Sequence, residues 1–240
     1  MSPRFFFLIG KDVERPIGGV MQIYRFANAL SYLGHESIVI QATDNFLPRW
    51  FNIEPLFKRI SLKDYKCLSF SSSSDYLIIP ETFVPHYFSL PSVNKIIFNQ
   101  NAGYTFGEKL NLDPRHVISV YSDSSLSSVI CVSHSDYNFL HSCMGVSRDR
   151  LFRLNNTIDV SIFNPCFPKE PLISFMPRKN PSHSRVLLGL VESLDSFKSG
   201  GWQTLKIENC SLDAVAHNMK RSFLFLSFGF PEGFGLPLAE

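Results

Sequence analysis

The stretch Phe223-Leu224-Phe225-Leu226-Ser227-Phe228-Gly229-Phe230-Pro231-Glu232-Gly233-Phe234-Gly235-Leu236-Pro237-Leu238-Ala239-Glu240 holds more chemistry than any other part of the chain. Its first five residues form a short apolar run bounded by glycine and proline, the pattern of a buried strand. A loop must follow, and it carries Glu232. Gly233 and Gly235 let the backbone approach a ligand closely or take up conformations closed to a side chain. Pro237 suits the first turn of a new helix, where a missing N–H costs nothing, so the amides around residues 235–238 are expected to point out of the helix start. Such a terminus favours an anion, phosphate above all. Glu240 stands eight residues beyond Glu232, in the first turn of that helix. Carboxylates accept paired hydrogen bonds from vicinal hydroxyls, which suits a ribose or a hexose. Phosphate and sugar side by side describe a sugar nucleotide.

The nine residues 232–240 resemble the E-x7-E signature, EGFGLPxxE, of the large retaining glycosyltransferase family with the GT-B fold, whose relatives include glycogen, sucrose and mannosyl transferases. Both acids, both glycines and the proline match, which is far more than a lone pair of spaced acids. The resemblance implies α/β architecture with two Rossmann-like β/α/β domains and sugar transfer in the cleft between them. It implies that Glu240 binds the ribose hydroxyls of the donor. It further implies that Glu232, with the backbone of Gly233, Phe234, Gly235 and Leu236, holds the transferred sugar and its phosphates. Glu232 is then a catalytic residue that orients the sugar and stabilises an oxocarbenium-like centre, with retention of anomeric configuration and no covalent nucleophile.

Towards the N-terminus, Arg4 to Ile9 is a compact apolar run ending at Gly10, as in a buried strand of a parallel sheet. From Val20 the positions Val20, Ile23, Tyr24, Ala27, Leu30 and Leu33 recur at helical spacing, with Gly34 as the stop. Residues 36–41 supply a second strand, so the start predicts a βαβ unit. Gly18-Gly19 falls at the predicted strand-to-helix turn, which has neither G-x-G-x-x-G nor G-x-x-x-x-G-K-[ST]. The order of residues 18–36 is nevertheless similar to the opening of the same family, and the resemblance makes Gly18 and Gly19 donor-diphosphate ligands. Further strands are predicted near 65–70, over 75–80 and 94–99, over 128–133 and at 150–154. A helix follows the capping-box-like Ser133-x-x-Asp136. Where relatives place a donor-contacting histidine after a strand, this chain has Gln100-Asn101, and Asn101 takes the catalytic position by resemblance.

Residues 155–165 resemble the family's inter-domain passage N-G-[IV]-D-x-x-x-F-x-P, with Thr157 where glycine is usual. The expected domains are therefore 1–164, on the acceptor side, and 165–240, the nucleotide-sugar-binding domain. In the second, strands are predicted at 172–176, 202–207 and 224–227, with helices after Asn180 and after Ser211. Arg178-Lys179 stands at the carboxyl end of the first of these strands, where open α/β sheets bind ligands, and both cations suit a diphosphate leaving group.

Composition narrows the alternatives. A net charge of +2 and a pI near 8.3, without a block of five basic residues, are too small to imply a nucleic-acid surface, and no nucleic-acid partner is expected. Five scattered cysteines with no C-x-x-C pair read as reduced thiols of a cytoplasmic protein. Cys131, His134, His141 and Cys143 match no common zinc spacing, and D-x-D is absent, so neither cofactor nor metal is expected. With no G-x-S-x-G and no H-E-x-x-H, a hydrolase has nothing to build on. The resemblance implies a hexosyltransferase-like enzyme of bacterial-type polysaccharide or glycoconjugate synthesis. It would use a nucleotide-sugar donor and a glycan or lipid-linked glycan acceptor, in the cytoplasm at the inner face of the membrane. A non-catalytic nucleotide-sugar or glycan-binding protein of the same fold is the alternative left standing. Because residue 240 falls inside the helix that the motif opens, more sequence is expected after it, and the 240 residues alone are expected to be inactive.

Overall fold

Short apolar runs without alternation become strands covered on both faces, and the computed structural model builds its sheets from them. It describes residues 2–51, 53–107, 111–165, 168–229 and 232–239. In chain order the elements are β1 (Arg4–Leu8), α1 (Gly18–Tyr32), β2 (Glu36–Gln41), β3 (Lys58–Ser61), α2 (Leu62–Tyr65), β4 (Asp75–Pro80) and β5 (Asn94–Asn99). Then come α3 (Pro114–Tyr121), β6 (Leu126–Cys131), α4 (His134–Ser142), β7 (Leu151–Arg153), β8 (Glu170–Phe175), α5 (Pro181–Ser193) and α6 (Asp195–Ser199). The last are β9 (Gln203–Lys206), α7 (Leu212–Arg221), β10 (Ser222–Leu226) and α8 (Leu236–Ala239). Two 3-10 segments, Glu81–Ser89 and Ala102–Phe106, follow β4 and β5.

The chain divides into two compact units, one up to Asn156 and one from Thr157, an earlier division than the 164/165 boundary expected from sequence. The turn at 159–163, closed by the Phe163 amide donating to the Asp159 carbonyl at 2.8 Å, and its buried Phe163 belong to the second unit.

In the first unit seven parallel strands run in the order β3-β2-β1-β4-β5-β6-β7. The order reverses between β1 and β4, and such a switch point opens a crevice at the carboxyl ends of the strands. Phe6, Ile40, Leu77, Ile79, Ile97 and Val129 are buried in the core at the centre of this sheet. At the opposite, amino-terminal edge Arg4 and its register partner Asp75 form a bidentate pair, Nε and Nη2 donating at 2.9 and 2.6 Å. In the second unit three parallel strands run β10-β8-β9, and Leu188, Ile207 and Ala216 are among its buried residues.

Two expectations are corrected here. The strand predicted near 65–70 does not form. Residues 58–61 are the strand instead, and Ser61 caps the helix 62–65 by accepting the Asp64 amide at 3.2 Å while its hydroxyl donates to the Asp64 carboxylate. Gly18 and Gly19, expected in a turn before the helix, are its first two residues. Helix α3 was not foreseen, although Asp113-Pro114 is a helix-start signal: Asp113 accepts the Arg115 amide at 2.9 Å and Pro114 occupies the first turn.

Candidate functional site

In the second unit, β8 and β10 are parallel neighbours with Phe175 in register with Leu226. Parallel pairing puts both carboxyl ends on one edge, so the loop 176–180 and the loop 227–229 emerge side by side. Asn180 ties them, its Nδ2 donating to the Phe228 carbonyl at 2.7 Å. A small cavity of about 60 Å³ lies there, lined by Arg178, Lys179, Ser227, Gly229, Glu232 and Pro237, with Met176 and two phenylalanines as its apolar wall.

Charge is arranged across this cavity. Lys179 Nζ stands 2.9 Å from Glu232 Oε2, in a pair whose side chains are only 18% and 29% exposed. The Glu232 carboxylate lies directly on the loop backbone, since a Cβ at Gly229 would fall 2.0 Å from its Oε1. Arg178 beside them is exposed and has no ion pair among the described residues. Gly235 has φ of +73°, a left-handed conformation that side chains resist, and its carbonyl accepts the Leu238 amide at 2.9 Å as the chain enters α8. Gly233, Phe234 and Leu236 are partly buried around that turn. Glu240 lies outside the described residues.

Three of the sequence-predicted donor residues, Arg178, Lys179 and Glu232, thus meet around one cavity. Gly18, Gly19 and Asn101 belong to the first unit, at the carboxyl edge of its sheet. There Gln100 Nε2 donates to the Gly19 carbonyl at 3.1 Å. Asn101 is buried, and its Oδ1 accepts the Gly103 amide at 3.0 Å, capping the 3-10 turn that follows β5.

Sequence reasoning missed one acid at this edge, Glu81, and read a second, Asp136, only as part of a helix cap. Glu81, at the end of β4, is 4% exposed and accepts the Gln100 amide at 3.0 Å and the Asn101 amide as well. Burial pushes its carboxyl up to about 7 against the pull of these amides. Asp136, also 4% exposed, accepts the Ala102 amide at 3.1 Å and the Ser133 hydroxyl at 2.8 Å. A charged residue directly after the apolar run 75–80 was the available signal for Glu81.

The histidines and cysteines of residues 131–143 do not converge. His141 Nδ1 is bonded to the Val146 carbonyl at 2.9 Å and Cys131 Sγ faces the Ser133 carbonyl at 3.8 Å. Among the described residues no three His, Cys, Asp or Glu side chains gather as a metal site, and no helix is long and apolar enough to cross a membrane.

No family model and no curated protein matches this chain. Solved structures do. A variant of TarM from S. aureus, in complex with fondaparinux, α-GlcNAc-glycerol and UDP, is similar over 95% of this chain and 78% of its own, with a TM-score of 0.59 at 9% identity. The catalytic domain of starch synthase IV from Arabidopsis thaliana, bound to ADP and acarbose, is similar over 99% of this chain and 80% of its own, with a TM-score of 0.55 at 11% identity. At such identity the likeness speaks for the fold alone. That fold is α/β of GT-B type, built on Rossmann-like β/α/β units.

Proposed function

We propose that this protein transfers a sugar from a nucleotide-sugar donor to a glycan or lipid-linked glycan acceptor, with retention of configuration. The observation that carries the reading is the cavity at the carboxyl ends of β8 and β10, where Lys179, beside Arg178, meets Glu232 of the 232–240 stretch. Both similar GT-B structures hold a nucleoside diphosphate, UDP in one and ADP in the other, which supports a donor of that class.

In this reading the diphosphate is received by Arg178 and Lys179, whose fixed positive charge meets the charge that develops on the leaving group. The backbone of Gly233, Phe234, Gly235 and Leu236 borders the same phosphates, and Gly18 and Gly19 present theirs from the first unit. Glu232 orients the transferred sugar through its hydroxyls, and Glu240 takes the ribose. Asn101 is assigned to the donor sugar. Cationic side chains neutralise the diphosphate, so the reaction is metal-independent. Work at the inner face of a membrane, in the cytoplasm, belongs to the same proposal.

The test has two readouts. Thermal shift with UDP-, GDP-, dTDP- and ADP-sugars finds the donor, and a radiolabelled donor offered with glycan acceptors then measures transfer by the full-length gene product. Turnover upholds the proposal. Binding without turnover makes the protein a nucleotide-sugar-binding relative, and no binding of any donor overturns both.

A further inference from the structure

Two buried carboxylates without an ion-pair partner among the described residues stand at the carboxyl edge of the first unit's sheet. Burying a carboxylate is costly unless hydrogen bonds satisfy it, and an apolar residue would pack there without that cost. What these two acids hold is therefore informative. Glu81 takes the amides of Gln100 and Asn101, and Asp136 takes the amide of Ala102, so three consecutive backbone donors after β5 are fixed from two sides. A carboxylate only accepts, so it can face several N–H groups, whereas a carboxamide would turn a donor towards them. From the segment so fixed, the Gln100 side chain reaches back to the Gly19 carbonyl, in the first turn of α1. Four connections of the sheet, after β1, β4, β5 and β6, are laced together at the switch-point edge.

We propose that Glu81 and Asp136 are positioning residues: together they set the segment 100–102 and, through the Gln100 carboxamide, the start of α1 at Gly18 and Gly19. The consequence for catalysis rests on the proposed function, in which that start receives the donor diphosphate. Glu81 faces Asp136 from α4 and Tyr121 from α3, and the neighbouring negative charge of Asp136 adds to burial in holding its proton. The grip on residues 100 and 101 should accordingly change as Glu81 titrates.

The experiment is amide hydrogen exchange on the whole chain between pH 5.5 and 8.5, expressed as protection so that intrinsic exchange cancels. Peptides covering 98–106 and 17–23 are followed, with calorimetric titration of UDP, ADP, GDP and dTDP alongside. In Gln100→Ala, protection at 17–23 is expected to fall about tenfold and nucleoside diphosphate binding about fivefold, while the β1–β4 edge at Arg4 is unmoved. In the parent, protection at 98–106 should step with a midpoint near 7, and Glu81→Gln should abolish the step. Asp136→Asn should lower protection at 98–106 without removing it. The proposal falls if Gln100→Ala leaves 17–23 within about twofold of the parent, or if the step persists in Glu81→Gln. Should Glu81→Gln fail to fold, Gln100→Ala and the parent's own pH profile still decide. If the parent binds none of UDP, ADP, GDP and dTDP, the proposed function fails, and the exchange data judge the positioning role by themselves.

Discussion

Replacing Glu232 by glutamine should make the free nucleoside diphosphate bind more tightly, although the same change should nearly stop transfer. Lys179 is held by Glu232 at 2.9 Å, so an incoming diphosphate must take the ammonium away from the carboxylate. At that distance the gross attraction is about 6 kcal/mol for an effective dielectric constant of about 20. Most of it is returned as hydration and side-chain freedom when the pair opens, because 18% and 29% of the two side chains already meet water, and partly exposed pairs are worth no more than about 1 kcal/mol net. Glu232→Gln removes that competition, for a gain of up to about fivefold in affinity. Lys179→Ala should act oppositely. Losing a charge-assisted hydrogen bond costs about 1.5–3 kcal/mol, or about 10–150-fold. Calorimetry with UDP and ADP on both single variants and on the double variant reads these effects, and the double variant should show no gain from Glu232→Gln. The reasoning is refuted if Glu232→Gln weakens both nucleotides, or if its gain survives without Lys179.

The other expectations concern stability and the site's chemistry. Arg4→Met leaves the buried Asp75 carboxylate without its cation, and because Arg4 is one-third exposed water makes up part of the loss, so urea unfolding at pH 7 should show about 2–3 kcal/mol of destabilisation. Hydrogen bonds from Arg4 hold the Asp75 carboxyl below its usual 3.8, so this contribution is present above pH 4 and fades as pH falls through the lowered folded value; the difference between parent and variant should shrink there. Glu81 has the opposite sign: its folded value of about 7 lies above the ordinary 4.5, so its contribution is complete below pH 4.5 and lost by pH 8. That step is about 3 kcal/mol, and the cost of Glu81→Gln measured by urea unfolding should decrease by about that amount between pH 4.5 and 8. Gly235→Ala forces a side chain into a left-handed conformation, at about 1–2 kcal/mol, and should weaken donor binding in the same calorimetric assay. Donor affinity should be unchanged in EDTA; loss in EDTA with recovery in Mn²⁺ would require a metal.

Central strands were legible and edge elements were not, for a physical reason. The strands 4–8, 36–41, 75–80 and 94–99 lie inside the sheet, so their central positions favour apolar side chains and the run stands out from its neighbours. The edge strand Lys58-Arg59-Ile60-Ser61 needs only Ile60 to meet Ile40, and its lysine reaches outward to Glu36 at 2.6 Å. Nothing in its composition separates it from a loop. The residues just beyond it looked more like a strand, but the Ser61–Asp64 cap starts a helix first, and local hydrogen bonding outweighed a weak apolar pattern.

For the candidate site, residue types could be read and pairings could not. Glu232 and Gly235 are visible because a motif needs a carboxylate and a left-handed glycine at fixed offsets along one loop. That Lys179 meets Glu232 depends on β8 lying beside β10 with a given register, and no spacing along the chain encodes it. The resemblance weights Arg178 above its neighbour, yet in the structure Lys179 turns into the cavity and is paired, while Arg178 stays exposed at its rim. Glu81 is the harder case, since a single acid after a strand is ordinary until the fold shows that its partners are backbone amides. A site made of backbone donors leaves no residue-type signature at the donor end, and only the acceptor can appear in the sequence. An acid placed directly behind a buried strand of a parallel sheet is therefore a candidate holder of the next loop, and Glu81 gives that rule a titratable test.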